Sequence, residues 1–180
     1  RGSGAYFWDV SGKKYVDWFL GGGPLLLGHS HPVVRDAIQA QLEHGAHLSL
    51  PTPLEIDVAE LICDLVPSAE QVVIAKNGTD VTGAAARLAR AITGREHIIM
   101  CGYHGFQDWS IASEPKCPGI PRAMRDLVHK YTYNDLESAR SLMRNVGREV
   151  AAIFVEPIGN IRALYTGQNL ALELWEGAAI

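Results

Sequence analysis

Cysteine is scarce: Cys63, Cys101 and Cys117 are the three in a chain of 180 residues. They are odd in number and none belongs to a C-x-x-C pair. That argues against a disulfide scaffold or a zinc knuckle, and it fits a reducing, cytoplasmic compartment. A dominant sign of charge is also missing. Sixteen Lys and Arg stand against twenty Asp and Glu, for a net charge of −4, and the basic residues are scattered. Neither a nucleic-acid partner nor an anionic membrane surface is therefore expected. No apolar run reaches the length of a membrane span, and the opening RGSGAYFWDV lacks the charged-then-apolar layout of a signal peptide. A start at Arg1 rather than Met reads as a chain cut from something longer.

Several motifs are lacking too. No G-x-x-x-x-G-K-[ST] loop is present, and no G-x-G-x-x-G follows a strand, so nucleotide binding of those two kinds is disfavoured. Without a G-x-S-x-G elbow, or a Cys with a placed His, a serine or cysteine hydrolase has little support. His29 and His31, with His44 and His47 downstream, invite a metal reading, yet no carboxylate or cysteine at ligand spacing joins them.

What is present suits one globular domain, or a domain with a small appendage: 47% of residues are hydrophobic and 20% charged. AYFWDVSGKKYVDWF has two aromatic and β-branched runs around Ser11-Gly12-Lys13 and reads as a hairpin. Ser30-His31-Pro32 opens a helix whose Val34, Ala37, Ile38 and Leu42 share an apolar face and which ends near Gly45. A second helix starts with Thr52 as N-cap, Pro53 at the first position and Glu55 completing a capping box. Its Leu54, Val58, Leu61, Ile62 and Leu65 are expected to face the core, and it stops at Pro67.

From Gln71 the pattern changes. A strand QVVIA, a helix ending at Gly94, a strand HIIMC, a long irregular stretch, a helix over 134–147 and a strand VAAIFV follow one another. Short apolar strands alternating with helices predict an α/β fold, a mainly parallel sheet covered by helices on both faces, with the strands ending at Ala75, Cys101 and Val155 in one sheet. In such sheets ligands gather at the carboxyl ends of the strands. The loops leaving those ends are 76–80, 102–109 and 156–160. The last twenty residues are less readable, although LALELWE is compatible with a helix.

KNGTDVTGAAARLARAITGR carries the most specific local chemistry. A helix start has four backbone N–H groups without internal partners and partial positive charge from the aligned peptide dipoles, so an anion is its natural occupant. Gly78 permits close approach of a ligand, and Asn77 and Thr79 add side-chain donors, a geometry that suits a phosphate. Asn, Gly, Thr and Asp are equally the residues of ordinary helix caps, and capping is the commoner reason for finding them. In GYHGFQDW, Tyr103 and His104 lie between two glycines. The ring of Tyr103 can stack on a flat ligand or plug the edge of a core, and His104 can hydrogen-bond to a ligand or move a proton. Glu156, at the tip of VAAIFV, can meet a cationic ring nitrogen, an amine or a partner side chain, or else remain a solvated acid.

GAYFWDVSGKKYVDW, GPLLLGHSHPVVRDAI, KNGTDVTGAAARLARAITGR, GYHGFQDW and FVEPIGN, in this order, resemble the N-terminal half of class III pyridoxal-phosphate-dependent aminotransferases. The branch is the one resembling glutamate-1-semialdehyde 2,1-aminomutase. The resemblance implies a truncated fold-type I transferase: 1–50 as hairpin, loop and first helix of a small domain, 51–160 as part of the large cofactor-binding α/β domain, and 161–180 as an unassigned tail. It implies pyridoxal 5'-phosphate as cofactor, a small-molecule amino donor and acceptor, and a homodimer. Gly78 and Thr79 match the positions that bind the cofactor phosphate, with Asn77 beside them. Tyr103 matches the residue stacked on the pyridine ring, with His104 next to it, and Glu156 falls in the family's EP motif near the cofactor. Asn77 and Asp80 depart from the Ser and Glu found in many relatives.

The Asp that pairs with the pyridine nitrogen and the Schiff-base Lys belong to later segments of the family, and neither Lys76 nor Lys130 matches the lysine motif. The chain by itself is therefore expected to be inactive. Two functions stay open: part of an aminotransferase or aminomutase acting on an amino/keto or amino/aldehyde substrate, or a non-catalytic relative serving as a binding or assembly chain.

Overall fold

The structure is a computed structural model that describes residues 1–114 and 117–157. Asn160, the tail 161–180 and the helix considered for LALELWE lie outside the described residues. The chain divides into two compact units, 1–71 and from residue 72 onward.

The first unit opens with three short antiparallel strands, β1 (Gly2–Ser3), β2 (Tyr6–Trp8) and β3 (Lys14–Val16), in the order β1-β2-β3. The expected hairpin is β2–β3, with Phe7 opposite Tyr15. One carboxylate organises its turn. Asp9 Oδ1 accepts from Ser11 N at 2.9 Å, Ser11 Oγ at 2.7 Å and Lys13 N at 3.0 Å, and Oδ2 accepts from the Tyr15 hydroxyl at 3.0 Å. Asp17 does similar work after β3. It accepts from Phe19 N and Leu20 N, both at 2.9 Å, and meets His29 Nε2 at 2.6 Å.

Helices α1 (Pro32–His44) and α2 (Pro53–Leu65) follow, each with proline in its first turn, where a missing N–H costs nothing. Thr52 Oγ1 caps α2 by accepting from Glu55 N at 3.3 Å. The expectation that the apolar stripes face a core does not hold among the described residues. Neither helix has a buried residue, and Ile38, Leu42, Leu61 and Leu65 are all more than half exposed. Period 3.6 specifies a helix with an apolar side, but burial also needs a second surface against that side.

The second unit contains α3 (Gly78–Thr93), β4 (His97–Cys101), α4 (Asp108–Ile111), α5 (Arg122–Asp126), β5 (Val128–Lys130), α6 (Leu136–Val146) and β6 (Val150–Val155). Its sheet has the order β5-β4-β6 with both pairings parallel, as expected for β4 and β6. Residues 71–75 form no strand, which corrects the reading of QVVIA: Val73 is 87% exposed. A β-branched run suits a strand, but a strand exists only where another edge completes its ladder. Both edges of β4 are taken, by β5 and by β6. The three-residue β5, with α4 and α5, occupies the stretch read as irregular.

The core explains why β4 is central. Ile98, Ile99, Met100 and Cys101 are at most 2% exposed, as a parallel strand covered on both faces requires. Alternation sends them to opposite sides. Ile99 and Cys101 pack with Tyr131, Ala139 of α6 and Val150, while Ile98 and Met100 pack with Ala86 of α3, Trp109 of α4, Ile120 and Phe154. Helices therefore cover both faces of a parallel sheet. Each buried side chain of this size stabilises the unit by about 1.5–3 kcal/mol.

Candidate functional site

The loops leaving β4 and β6 and the start of α3 come together at the carboxyl end of this sheet. Asn77 is the N-cap of α3. Its N–H donates to Asp80 Oδ2 at 3.2 Å and its Nδ2 donates to the same oxygen at 3.1 Å, so Asp80 is turned back onto the cap. Asp80 N and Val81 N use the Asn77 carbonyl at 3.1 and 3.3 Å. That leaves the amides of Gly78 and Thr79, which find no acceptor among the described residues. Beyond its own chain neighbours and helix, nothing lies within 4 Å of where a Cβ on Gly78 would be.

The loop after β4 is held against this helix start. Thr79 Oγ1 accepts from Phe106 N at 3.2 Å, and Thr82 Oγ1 donates to the His104 carbonyl at 2.7 Å. Gly105, at φ +98°, lies so close to Thr79 that a Cβ there would collide with its side chain and come within 3.0 Å of its Cα. Gly102, at φ +93°, gives the same close passage to Glu156, whose Oε2 accepts from Tyr103 N at 3.0 Å. Both glycines are needed for backbone sign and for space.

The side chains divide by environment. Tyr103 is 72% exposed. His104 is half-buried, edge-on to Phe154 with ring centroids 5.7 Å apart, and its Nε2 lies 2.8 Å from the Cys101 carbonyl. A carbonyl only accepts, so Nε2 carries the proton and, in the neutral ring, Nδ1 is left as an acceptor. Beneath the loop, burial pushes up both the Cys101 thiol and the Tyr131 phenol, which keeps both protonated and leaves no nucleophile there.

Thus Thr79, His104 and Glu156 belong to one hydrogen-bonded assembly that includes the backbone of Tyr103, and Asn77 and Gly78 form its mouth. Sequence reasoning missed Thr82, and it read Gly102 and Gly105 as the glycines flanking Tyr103 and His104 without their close passage to Glu156 and Thr79. A signal for Thr82 existed: three residues beyond Thr79 on a helix, it lies on the same face.

The family model described as aminotransferase class-III matches residues 1–161. The chain belongs to this family. Among its relatives, the glutamate-1-semialdehyde 2,1-aminomutase of Chloroflexus aurantiacus is 44% identical over 169 residues, 88% of this chain and 38% of that protein. An omega-transaminase structure from Sphaerobacter thermophilus matches with a TM-score of 0.86 at 29% identity, covering 98% of this chain and 44% of that one. A transaminase structure with PLP bound matches with a TM-score of 0.81 at 28% identity, covering 88% and 40%. The chain therefore spans less than half the length of these relatives. Family and solved relatives assign pyridoxal 5'-phosphate as the cofactor and the fold as that of the PLP-dependent transaminases.

The residues present fit that cofactor's phosphate. Two unpartnered first-turn amides and the Thr79 hydroxyl stand where a sixteen-residue helix begins, a set of groups that suits a tetrahedral anion. Among the described residues, no group of three His, Cys, Asp or Glu is placed to hold a metal ion, and no helix is long and apolar enough to cross a membrane.

Proposed function

We propose that this chain provides the phosphate-holding part of a pyridoxal-phosphate-dependent aminotransferase or aminomutase. Its substrates would be a small amino compound and its keto or aldehyde counterpart. The observation that carries the reading is the pair of unpartnered amides at Gly78 and Thr79, tied through the Thr79 hydroxyl to the loop of Tyr103 and His104. In this reading Gly78 and Thr79 donate to the phosphate, and Asn77 holds the cap that aims their N–H groups. Tyr103 supplies a ring for stacking. His104 presents Nδ1 as an acceptor from a fixed tautomer, and Glu156 lies in the same assembly. When bound, the cofactor supplies an electron-withdrawing ring that stabilises negative charge developing on the substrate. A homodimer in a reducing cytoplasm is the assembly we propose. Similarity to the Chloroflexus aurantiacus aminomutase favours amino-group transfer within one amino/aldehyde molecule.

The test is titration of the purified protein with pyridoxal phosphate, followed by fluorescence, with inorganic phosphate as competitor. We expect phosphate to compete and Thr79→Val to weaken both ligands about tenfold, the scale of one hydrogen bond to a charged group. Binding that ignores both phosphate and the substitution overturns the reading. Turnover of an amino compound by this chain alone would overturn the expectation that it is inactive by itself.

A further inference from the structure

The loop of residues 102–107 is fastened by side chains from outside it, one peptide group after another. Glu156 holds the Tyr103 N–H, Thr82 the His104 carbonyl, Ser110 Oγ the Gly105 carbonyl at 2.9 Å, and Thr79 the Phe106 N–H. Two of these fasteners stand on α3 and one at the tip of β6.

We propose that Thr82 and Glu156 are positioning residues that fix the Tyr103–His104 segment relative to the mouth of α3, and so set where a cofactor ring lies once its phosphate is seated. The inference rests on the cofactor reading above and adds residues that do not themselves hold the phosphate. A hydroxyl has one proton, and Thr82 Oγ1 has two acceptors in reach, the His104 carbonyl at 2.7 Å and the Thr79 carbonyl at 3.2 Å. The shorter bond dominates, so the proton is directed at the loop rather than at the helix that carries it. Glu156 works from the other side. Gly102 leaves room for its side chain to reach the Tyr103 N–H, where an alanine Cβ would overlap it. A carboxylate acceptor makes such a bond charge-assisted. With both in place, ring and phosphate positions are linked through α3 rather than through a free loop. Such pre-organisation is what a site demanding sub-ångström placement needs.

The experiment uses four variants: Thr82→Val and Thr82→Ser, Glu156→Leu and Glu156→Gln. Valine keeps the shape of threonine without a donor, and leucine removes the acceptor, whereas serine and glutamine keep them. Three quantities are read: amide hydrogen exchange of residues 103–106 in the free protein, circular dichroism induced in the bound cofactor, and affinity for inorganic phosphate. We expect Thr82→Val and Glu156→Leu to speed exchange in the loop about tenfold, the scale of one such hydrogen bond. They should also lower the induced dichroism at least twofold, while phosphate affinity stays within twofold. Serine and glutamine should restore both signals.

Unchanged loop exchange and dichroism in Thr82→Val and Glu156→Leu overturn the proposal. A parallel fall in phosphate affinity also overturns it, since the residues would then belong to the phosphate cradle. The Thr82 and Glu156 pairs are independent, so misfolding of one variant leaves the other pair decisive. Failure of the unsubstituted protein to take up the cofactor, with normal loop exchange effects, fells the cofactor reading instead.

Discussion

Helices α2 and α6 both carry apolar residues at helical spacing, yet they end in opposite situations. On α2, Leu61 and Leu65 are more than half exposed and no residue is buried. On α6, Ala139 is 4% exposed, and Leu142 and Val146 pack beside it against Ile99 and Cys101. Capping and length do not separate the two, although the apolar residues of α6 are gathered more tightly on one side. Both have a side-chain N-cap, Thr52 and Asp135, and both are short. The difference is the sheet beneath α6: a parallel strand buried on two faces leaves no choice but to be covered. Amphipathic pattern makes a helix ready for burial, and the neighbouring surface decides whether burial occurs.

The sharpest way to break this comparison is a pair of truncations. Ile98→Ala, at 0% exposure in β4, should destabilise the second unit by about 2–5 kcal/mol. Ile38→Ala, at 56% exposure in α1, should change stability by less than about 0.5 kcal/mol. Denaturant unfolding of each variant measures both, and equal losses would show that α1 is buried in the protein in solution. Next in size is Gly105→Ala, which forces an alanine to φ +98° and against Thr79. A cost of about 1–3 kcal/mol is expected, together with weakened cofactor binding, read by thermal shift and fluorescence titration.

Capping gives a smaller effect that should be the same in both units. Thr52→Ala and Asp135→Ala each lose one bond to a first-turn amide, at 3.3 and 3.0 Å, and each should cost about 1 kcal/mol in chemical unfolding. A large difference between them would mean that one cap also serves tertiary packing.

The smallest effect is in pH. His129 lies 2.8 Å from His97, whose Nε2 in turn meets Glu149 at 3.0 Å; Arg95 and Arg148 stand at the same edge. Burial first, and the charge of His97 second, lower the His129 pKa from its ordinary 6.5. Its neutral form is therefore favoured in the fold, so this contribution is complete above pH about 6.5 and lost as pH falls through the lowered value. In the first unit, the hydrogen bond from His29 is the largest of several causes that lower the pKa of Asp17 below 3.8. Its contribution persists until pH falls below about that value. Acid should therefore loosen the second unit before the first, and His129→Gln should remove the earlier phase. Thermal melts between pH 7 and 3 decide it, and a simultaneous loss in both units would contradict the assignment.

Much of this was legible along the chain because it is governed by neighbours in sequence. The hairpin around Ser11-Gly12, the Thr52-Pro53 start, the Gly94 stop and the apolar runs of β4 and β6 depend on local sterics, caps and period, and all appear where the residues place them. β5 escaped because three residues carry no period, and it is a strand only because β4 lies beside it. Residues 71–75 misled for the converse reason: their composition suits a strand, but among the described residues no edge pairs with them. At the site, a helix mouth suited to an anion was readable from Asn77-Gly78-Thr79, since cap chemistry is local. The tautomer of His104 and the grip of Thr82 and Glu156 on the loop were not. These depend on which carbonyl or N–H lies within about 3 Å, a distance between residues up to 53 positions apart that only the packed sheet and its helices determine.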